Sequence, residues 1–221
     1  MPSLPKLYAI LDIDALTARG LQPRAVLDAW LDAGIRLIQL RAKTMASGPL
    51  LALAEDLAGR ARDAGATFIL NDRADIALLA GADGVHVGQG DLAPHHVAVF
   101  RPRGTRSRGA SAPRDNFLIG LSTHTLDQLR AGLAEPADYL AIGPVFETST
   151  KAAADPVVGV AMVREAARAA GTRPLVAIGG ITLGTALQVL EAGATSVAIV
   201  SDLLVGDVGR RARQYVDAIC Q

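Results

Sequence analysis

Charged side chains of both signs recur in this 221-residue sequence just after short apolar runs. Arg41, Lys43 and Lys151 are cations of the kind that bind phosphate oxygens. Asp72 and Asp91 offer hard oxygen ligands, and two carboxylates together with substrate phosphates are a common environment for Mg²⁺. Because Arg41 and Lys43 stand two residues apart at the end of a predicted strand, we expect them to point to the same side. These residue types predict binding sites for small anions, and at one of these sites a metal ion assists the binding.

Further polar residues take the same position relative to the apolar runs: Asp12, Gln39, Asn71, His86, Gln89, Ser122, His124, Thr148, Thr150 and Ser201. Gly179 and Gly180 precede a predicted helix, where backbone N–H groups can approach a phosphate. Plainer explanations stay open for several of these residues. Asp72 and Asp91 could cap helices, His86 could be a satisfied core histidine, and Gly180 could serve only a turn.

The elements that must position these residues alternate along the chain. Eight β-branched, almost wholly apolar runs predict strands buried on both faces, at 7–11, 35–40, 67–70, 84–87, 118–121, 139–142, 174–178 and 196–200. Apolar residues at three- and four-residue spacing predict helices between them, among these 23–33, 50–64, 157–170 and 182–192.

Eight strand–helix units of roughly 28 residues each indicate the α/β class and a (β/α)₈ TIM barrel, with residues 1–221 as a single domain. An open, doubly wound sheet is the competing architecture. Against it, no Gly-x-Gly-x-x-Gly follows the first strand, where Asp12 and Asp14 stand instead. In a barrel, the ends of all eight strands converge on one rim, which is where barrel enzymes build their sites.

Composition excludes several classes of partner. With 22 Lys and Arg against 22 Asp and Glu, the chain has no net charge to attract nucleic acid or an anionic membrane. Its uncharged runs are too short and interrupted to span a bilayer. Cys220 is the sole cysteine, so no intrachain disulfide can form, and the first residues lack a secretory pattern. We expect a cytoplasmic protein, and self-association into a homo-oligomer is compatible with this composition.

Residues 101–116 are rich in arginine and have no periodicity. This pattern is typical of a long solvated loop. A mobile lid or an anion-attracting edge beside the site is the alternative interpretation.

Seven short stretches, in order and at barrel spacing, carry a resemblance to a known family: 39–43 (QLRAK), 71–75 (NDRAD), 82–92 (ADGVHVGQGDL), 119–124 (IGLSTH), 143–151 (GPVFETSTK), 177–181 (AIGGI) and 200–201 (VS). From its second strand to its eighth, the chain resembles the thiamine phosphate synthase family. That family is a (β/α)₈ barrel that joins a hydroxymethylpyrimidine diphosphate to a thiazole phosphate, giving thiamine phosphate and pyrophosphate.

The resemblance implies a role for each matching residue, with small phosphorylated substrates as the partners and Mg²⁺ as the cofactor. The pyrimidine diphosphate site is implied at Gln39, Arg41, Lys43, Asn71, Ser122 and Lys151, of which Arg41, Ser122 and Lys151 are the catalytic residues. The metal ligands are implied at Asp72 and Asp91. The thiazole phosphate site is implied at Thr148, Ser149, Thr150, Gly180, Val200 and Ser201.

Asp202 departs from the family pattern, because a small apolar residue is more usual after the serine. We expect it to place a negative charge near the thiazole phosphate. Three other functions compete with the synthase. They are a thiazole tautomerase of the same superfamily, with His124 as its proton-transfer candidate, a phosphosugar epimerase or aldolase, and a barrel that binds a phosphorylated thiazole or thiamine phosphate without turnover.

Overall fold

Eight parallel strands form a closed barrel in the computed structural model, which describes residues 4–101, 117–148 and 156–220. Each strand pairs with its neighbours in chain order, and β8 closes onto β1. The strands are β1 (Leu7–Asp12), β2 (Leu37–Arg41), β3 (Thr67–Asn71), β4 (Gly84–Val87), β5 (Leu118–Thr123), β6 (Tyr139–Ile142), β7 (Leu175–Ile178) and β8 (Ser196–Ile199). The predicted barrel is confirmed, and the open doubly wound sheet is wrong.

Helices follow the strands around the outside of the barrel. They are α1 (Ile13–Thr17), α2 (Pro23–Asp32), α3 (Ser47–Asp63), α4 (Ala74–Leu79), α5 (Pro94–Ala98), α6 (Leu126–Leu133), α7 (Gly159–Ala170), α8 (Leu183–Glu191) and α9 (Val208–Ile219), with a 3₁₀ turn at Ser201–Leu204. The four predicted helices are confirmed to within a few residues at each end. None of the helices in the described ranges is long and apolar enough to cross a membrane.

Strand side chains alternate between two apolar cores. One set packs outward against the helices around Leu27, Trp30 and Phe68. The other set fills the barrel interior with Tyr8, Ile10, Leu37, Ile69, Tyr139, Ala141, Val176 and Ala198. On β2 the same alternation carries Gln39 and then Arg41 inward above Leu37, so the inward face changes from an apolar floor to a polar rim. This period of two is what positions the site.

Candidate active site

A pocket of about 580 Å³ opens at the carboxyl ends of the strands. Its lining includes every sequence-predicted site residue that the structure describes: Gln39, Arg41, Lys43, Asn71, Asp72, Asp91, Ser122, Thr148, Gly180, Val200 and Ser201. Ser149, Thr150 and Lys151 lie outside the described residues, as does the arginine-rich segment beyond Arg101. The structure therefore brings together, at one rim, residues that are far apart in the sequence.

Arg41 is oriented by a buried carboxylate. Its Nη1 donates to Oδ2 of Asp12, at the end of the neighbouring strand β1. The other oxygen of Asp12 accepts from the Ala15 N–H at 2.8 Å and so caps α1. The sequence placed Asp12 at a strand end but assigned it no role. The structure shows that it holds the guanidinium group over the pocket.

An Asp12→Asn variant is expected to lose activity without losing the barrel. The amide can still cap α1 through its oxygen, but it leaves the Arg41 guanidinium without its anionic partner. A charge-assisted hydrogen bond of this kind contributes about 2 kcal/mol of interaction free energy. Because that free energy orients Arg41 toward the substrate, we expect its loss to lower activity about thirtyfold. Steady-state kinetics and urea unfolding measure the two effects separately. A variant with wild-type kinetics would show that Asp12 does not position Arg41.

Two carboxylates meet beside a lysine at the opening of the pocket. The Lys43 Nζ lies 2.8 Å from Oδ2 of Asp72. Partial burial raises the pKa of Asp72, and Asp91 raises it further as a hydrogen-bond partner and a like charge, whereas Lys43 opposes the rise. Two carboxylates in hydrogen-bond contact repel each other unless a cation or a proton lies between them. The donor set therefore suits a divalent cation that binds carboxylate oxygens.

Backbone turns place these carboxylates, and neither caps a helix. Asp72 has a φ of +63°, a left-handed conformation that Asp and Asn tolerate better than most residues. Asp91 Oδ2 accepts from the Gly88 N–H at 2.7 Å. The N-caps of α4 and α5 are Arg73 and Ala93, without a side-chain cap. The plainer explanation of both aspartates as helix caps is therefore wrong.

The described residues contain no group of three or more His, Cys, Asp or Glu side chains that could hold a metal by themselves. A cation between Asp72 and Asp91 would need further oxygen ligands, which Mg²⁺ usually takes from water and substrate phosphates. The residues present fit that arrangement.

A second part of the pocket lies between β6, β7 and β8. Gly180 has a φ of +65°, and a Cβ there would stand 2.4 Å from the Glu147 carbonyl oxygen. A side chain at this position is therefore excluded both by conformation and by space. Thr148, Val200 and Ser201 line the same part of the pocket. The helix α8 begins just beyond, behind a reciprocal cap between Thr182 and Thr185.

Asp202 does not bring an uncompensated charge to this region. Its Oδ2 lies 2.6 Å from Arg211 Nη2 and accepts from the Leu183 N–H at 3.0 Å and from the Tyr215 hydroxyl. It is absent from the residues that line the pocket. The expected negative charge beside the thiazole phosphate is thus neutralised by Arg211, and Asp202 instead ties the start of α8 to α9.

Five polar side chains are hydrogen-bonded across the floor of the pocket: Gln39, Tyr8, Tyr139, His86 and Ser122. Nothing in the sequence marks the two tyrosines as functional, because each lies inside an apolar run. Burial raises the pKa of both tyrosine hydroxyls. Burial lowers the pKa of His86 to about 4, although the negative charge of Asp91 opposes this. His86 is therefore neutral at physiological pH.

His86 is expected to make folding stability depend on pH. An unfolded histidine titrates near about 6.5, so between about pH 6.5 and pH 4 the unfolded chain binds a proton that the folded chain does not. Stability is then lost as the pH falls, by about 2 kcal/mol between about pH 7.5 and pH 5 from this residue alone. Urea unfolding of the wild type and of His86→Asn measures this contribution as the difference in pH slope. Equal slopes would show that His86 is not buried as a neutral group.

His124 also lines the pocket, and its Nδ1 donates to the Gly143 carbonyl oxygen at 2.7 Å. This contact ties the ring to the backbone between β6 and α7.

A closed parallel barrel with a polar pocket at the carboxyl ends of its strands is the architecture of (β/α)₈-barrel enzymes. Comparison with known proteins narrows this class. A family profile described as thiamine monophosphate synthase matches residues 7–203. The thiamine-phosphate synthase of Koribacter versatilis is 41% identical over 221 residues, covering 98% of this chain and 96% of the relative. One from Thermus thermophilus is 44% identical over 174 residues, or 79% and 77% of the two chains.

Among solved structures, a thiamine phosphate pyrophosphorylase from Pyrococcus furiosus superposes with a TM-score of 0.80 at 27% identity, covering 96% of this chain and 94% of that one. The chain belongs to the thiamine monophosphate synthase family.

Proposed function

We propose that this enzyme is a transferase that joins a hydroxymethylpyrimidine diphosphate to a thiazole phosphate, giving thiamine phosphate and releasing pyrophosphate. The observation that carries this proposal is the meeting of Arg41 and Lys43 with Asp72 and Asp91 in a single pocket. Both substrates are small phosphorylated molecules, which is what the mixed charges of the rim suit. We infer that the whole chain 1–221 is one catalytic domain, since the elements of a single barrel extend from Leu7 at the start of β1 to Ile219 at the end of α9.

The reaction breaks the bond between the pyrimidine methylene carbon and the diphosphate oxygen. The electron pair leaves with pyrophosphate, and the resulting benzylic-type cation forms a new bond to the thiazole nitrogen. Arg41 and Lys43 stabilise the negative charge that develops on the leaving group. Lys151, outside the described residues, is the third cation of this proposal. Bound between Asp72 and Asp91, Mg²⁺ would neutralise part of the same charge.

The remaining residues bind and orient the two substrates. Gln39, Asn71 and Ser122 hold the pyrimidine diphosphate. Gly180, Val200 and Ser201, with Thr148, Ser149 and Thr150, hold the thiazole phosphate. Holding the thiazole nitrogen near the cation supplies much of the rate, because the second step then needs no encounter between free molecules. The mechanism needs no protein nucleophile.

Pyrophosphate release tests the function directly. The purified full-length protein is mixed with both substrates, with and without Mg²⁺, and pyrophosphate and thiamine phosphate are quantified. Stoichiometric formation of both products, dependent on the metal, is the expected result. Conversion of the thiazole phosphate alone would identify a tautomerase, and saturable binding without product would identify a binding protein.

A further inference from the structure

The hydrogen-bonded side chains on the pocket floor form one continuous chain through the barrel interior. Gln39 Nε2 donates to the Tyr8 hydroxyl at 2.8 Å, and the Tyr8 and Tyr139 hydroxyls are 3.0 Å apart. His86 Nδ1 lies 3.1 Å from the Tyr139 hydroxyl, and its Nε2 lies 2.8 Å from Ser122 Oγ. The two tyrosines lie on β1 and β6, which are not adjacent strands, so this chain of hydrogen bonds crosses the lumen of the barrel. The proposed function uses its two ends and leaves its three central members without a role.

Counting the available protons shows in which direction this series of hydrogen bonds runs. A phenol has one proton and a neutral imidazole has one, so each central member can donate only once along the chain. Gln39 donates to the Tyr8 hydroxyl, and among the described residues Tyr139 is the only other partner of that hydroxyl, so the Tyr8 proton is donated to Tyr139. The Tyr139 proton is then donated to Nδ1 of His86. The imidazole proton is then on Nε2, which is also the preferred position in a free neutral histidine side chain, and it is donated to Ser122.

The direction decides what each end offers to a ligand. Ser122 Oγ already accepts from His86, so its own proton is directed to another acceptor. Gln39 uses its amide nitrogen on Tyr8, so its amide oxygen stays available as an acceptor in the pocket. Rotating the Gln39 amide by half a turn would reverse every bond and exchange the two roles. The five groups therefore switch together, because no member can reverse alone without leaving a buried polar group unpaired.

The hydrogen-bonded side chains occupy space left by the missing side chain of Gly120, which lies two residues before Ser122 on β5. A Cβ at Gly120 would stand 2.2 Å from Tyr139 Cζ and 2.4 Å from His86 Nδ1. The rings of His86 and Tyr139 stack with their centroids 5.5 Å apart. The contact between the phenol and the imidazole thus depends on the absence of a side chain on β5, the strand that lies between those of His86 and Tyr139.

We infer that Tyr8, Tyr139 and His86 are positioning residues that make Ser122 a hydrogen-bond donor and Gln39 an acceptor toward the substrate. This inference rests on the proposed function for the identity of the ligand as a pyrimidine. A pyrimidine that satisfies both ends offers a ring nitrogen to Ser122 and an exocyclic N–H to Gln39, as an aminopyrimidine does. The corresponding oxo-pyrimidine offers an acceptor where Gln39 needs a donor, and it is rejected.

The tautomer of His86 tests the direction without any substrate. Full-length protein with ¹⁵N-labelled histidine is studied by two-bond ¹H–¹⁵N correlation near neutral pH, and His86→Asn assigns its signals among those of the four histidines. A protonated Nε2 and an unprotonated Nδ1 are expected. The opposite tautomer would overturn the inference. If the wild type formed no thiamine phosphate, the proposed function would fail while this result would stand.

Tyr139→Phe tests the positioning role. It removes the donor to Nδ1, so we expect the His86 tautomers to mix and the KM for the pyrimidine diphosphate to rise about tenfold, while the KM for the thiazole phosphate stays unchanged. Tyr215→Phe is the matched control, because its buried hydroxyl bonds to Asp202 outside the barrel. The control should keep the His86 tautomer and the pyrimidine KM. An unchanged tautomer and pyrimidine KM in Tyr139→Phe would overturn the role.

Selectivity between the amino and the oxo pyrimidine diphosphate tests the inferred direction of the hydrogen bonds. The oxo analogue of the pyrimidine diphosphate should bind the wild type about 100-fold more weakly than the amino compound, since a site with directed hydrogen bonds leaves buried groups unpaired against the wrong partner. Isothermal titration calorimetry on the whole enzyme measures both dissociation constants. Equal affinities would contradict the inferred polarity.

Discussion

Asp91→Asn is expected to lower metal-dependent turnover by about 10³-fold while the barrel stays folded. A metal ion contributes several kcal/mol of charge stabilisation in the transition state, and each 1.4 kcal/mol is about a factor of ten in rate. The amide retains an oxygen that can accept from the Gly88 N–H, so the turn before α5 is preserved. Asp72→Asn should behave in the same way, because Asn also tolerates the left-handed backbone conformation of that position.

Pyrophosphate release at saturating substrates and rising Mg²⁺ concentration measures this loss. Asp75→Asn is a suitable control, since this exposed carboxylate lies three residues from Asp72 and pairs with Arg73 outside the main pocket. It should keep wild-type turnover. The Asp91→Asn variant should also lower the pKa of Asp72, because Asp91 raises it in the native protein. Wild-type rates in both the Asp72 and the Asp91 variants would overturn the assignment of the metal site.

Gly120→Ala is expected to lower the free energy of unfolding by about 3 kcal/mol, the upper range for overpacking a core. The added methyl group overlaps the Tyr139 ring and His86 Nδ1, neither of which can move without breaking a buried hydrogen bond. Because the displaced imidazole no longer holds Ser122, activity should fall by at least about tenfold in the fraction that folds.

Urea unfolding and kinetics on the same preparation measure the two effects. Gly59→Ala is the matched control: this glycine lies in α3, and a Cβ there meets nothing within 4 Å. Its replacement should stabilise the protein by about 0.5–1 kcal/mol through helix propensity. If Gly120→Ala were as stable and active as Gly59→Ala, the Tyr139 and His86 side chains would be able to move aside without loss, which would contradict the tight packing at Gly120.

Much of the barrel could be predicted because its signals are local. Runs such as 139–142 are apolar at every position, which only strands covered on both faces tolerate, and the segments between them carry a helical period. The rim residues could be predicted for the same reason, since the carboxyl end of each strand is recognisable. Tyr8 and Tyr139 could not, because a tyrosine inside an apolar run looks like ordinary core until its hydroxyl finds a partner across the lumen.

The fold class, the family resemblance and the kinds of side chain that face the rim can be predicted without coordinates, because each depends on residue types and spacings within short segments. Which groups meet becomes visible in the folded barrel alone. It paired Arg41 with Asp12, turned Asp202 toward Arg211, and joined Gln39 to Ser122 through three buried side chains. These contacts join residues far apart along the chain, and their geometry depends on the closure of the barrel, which no local pattern encodes.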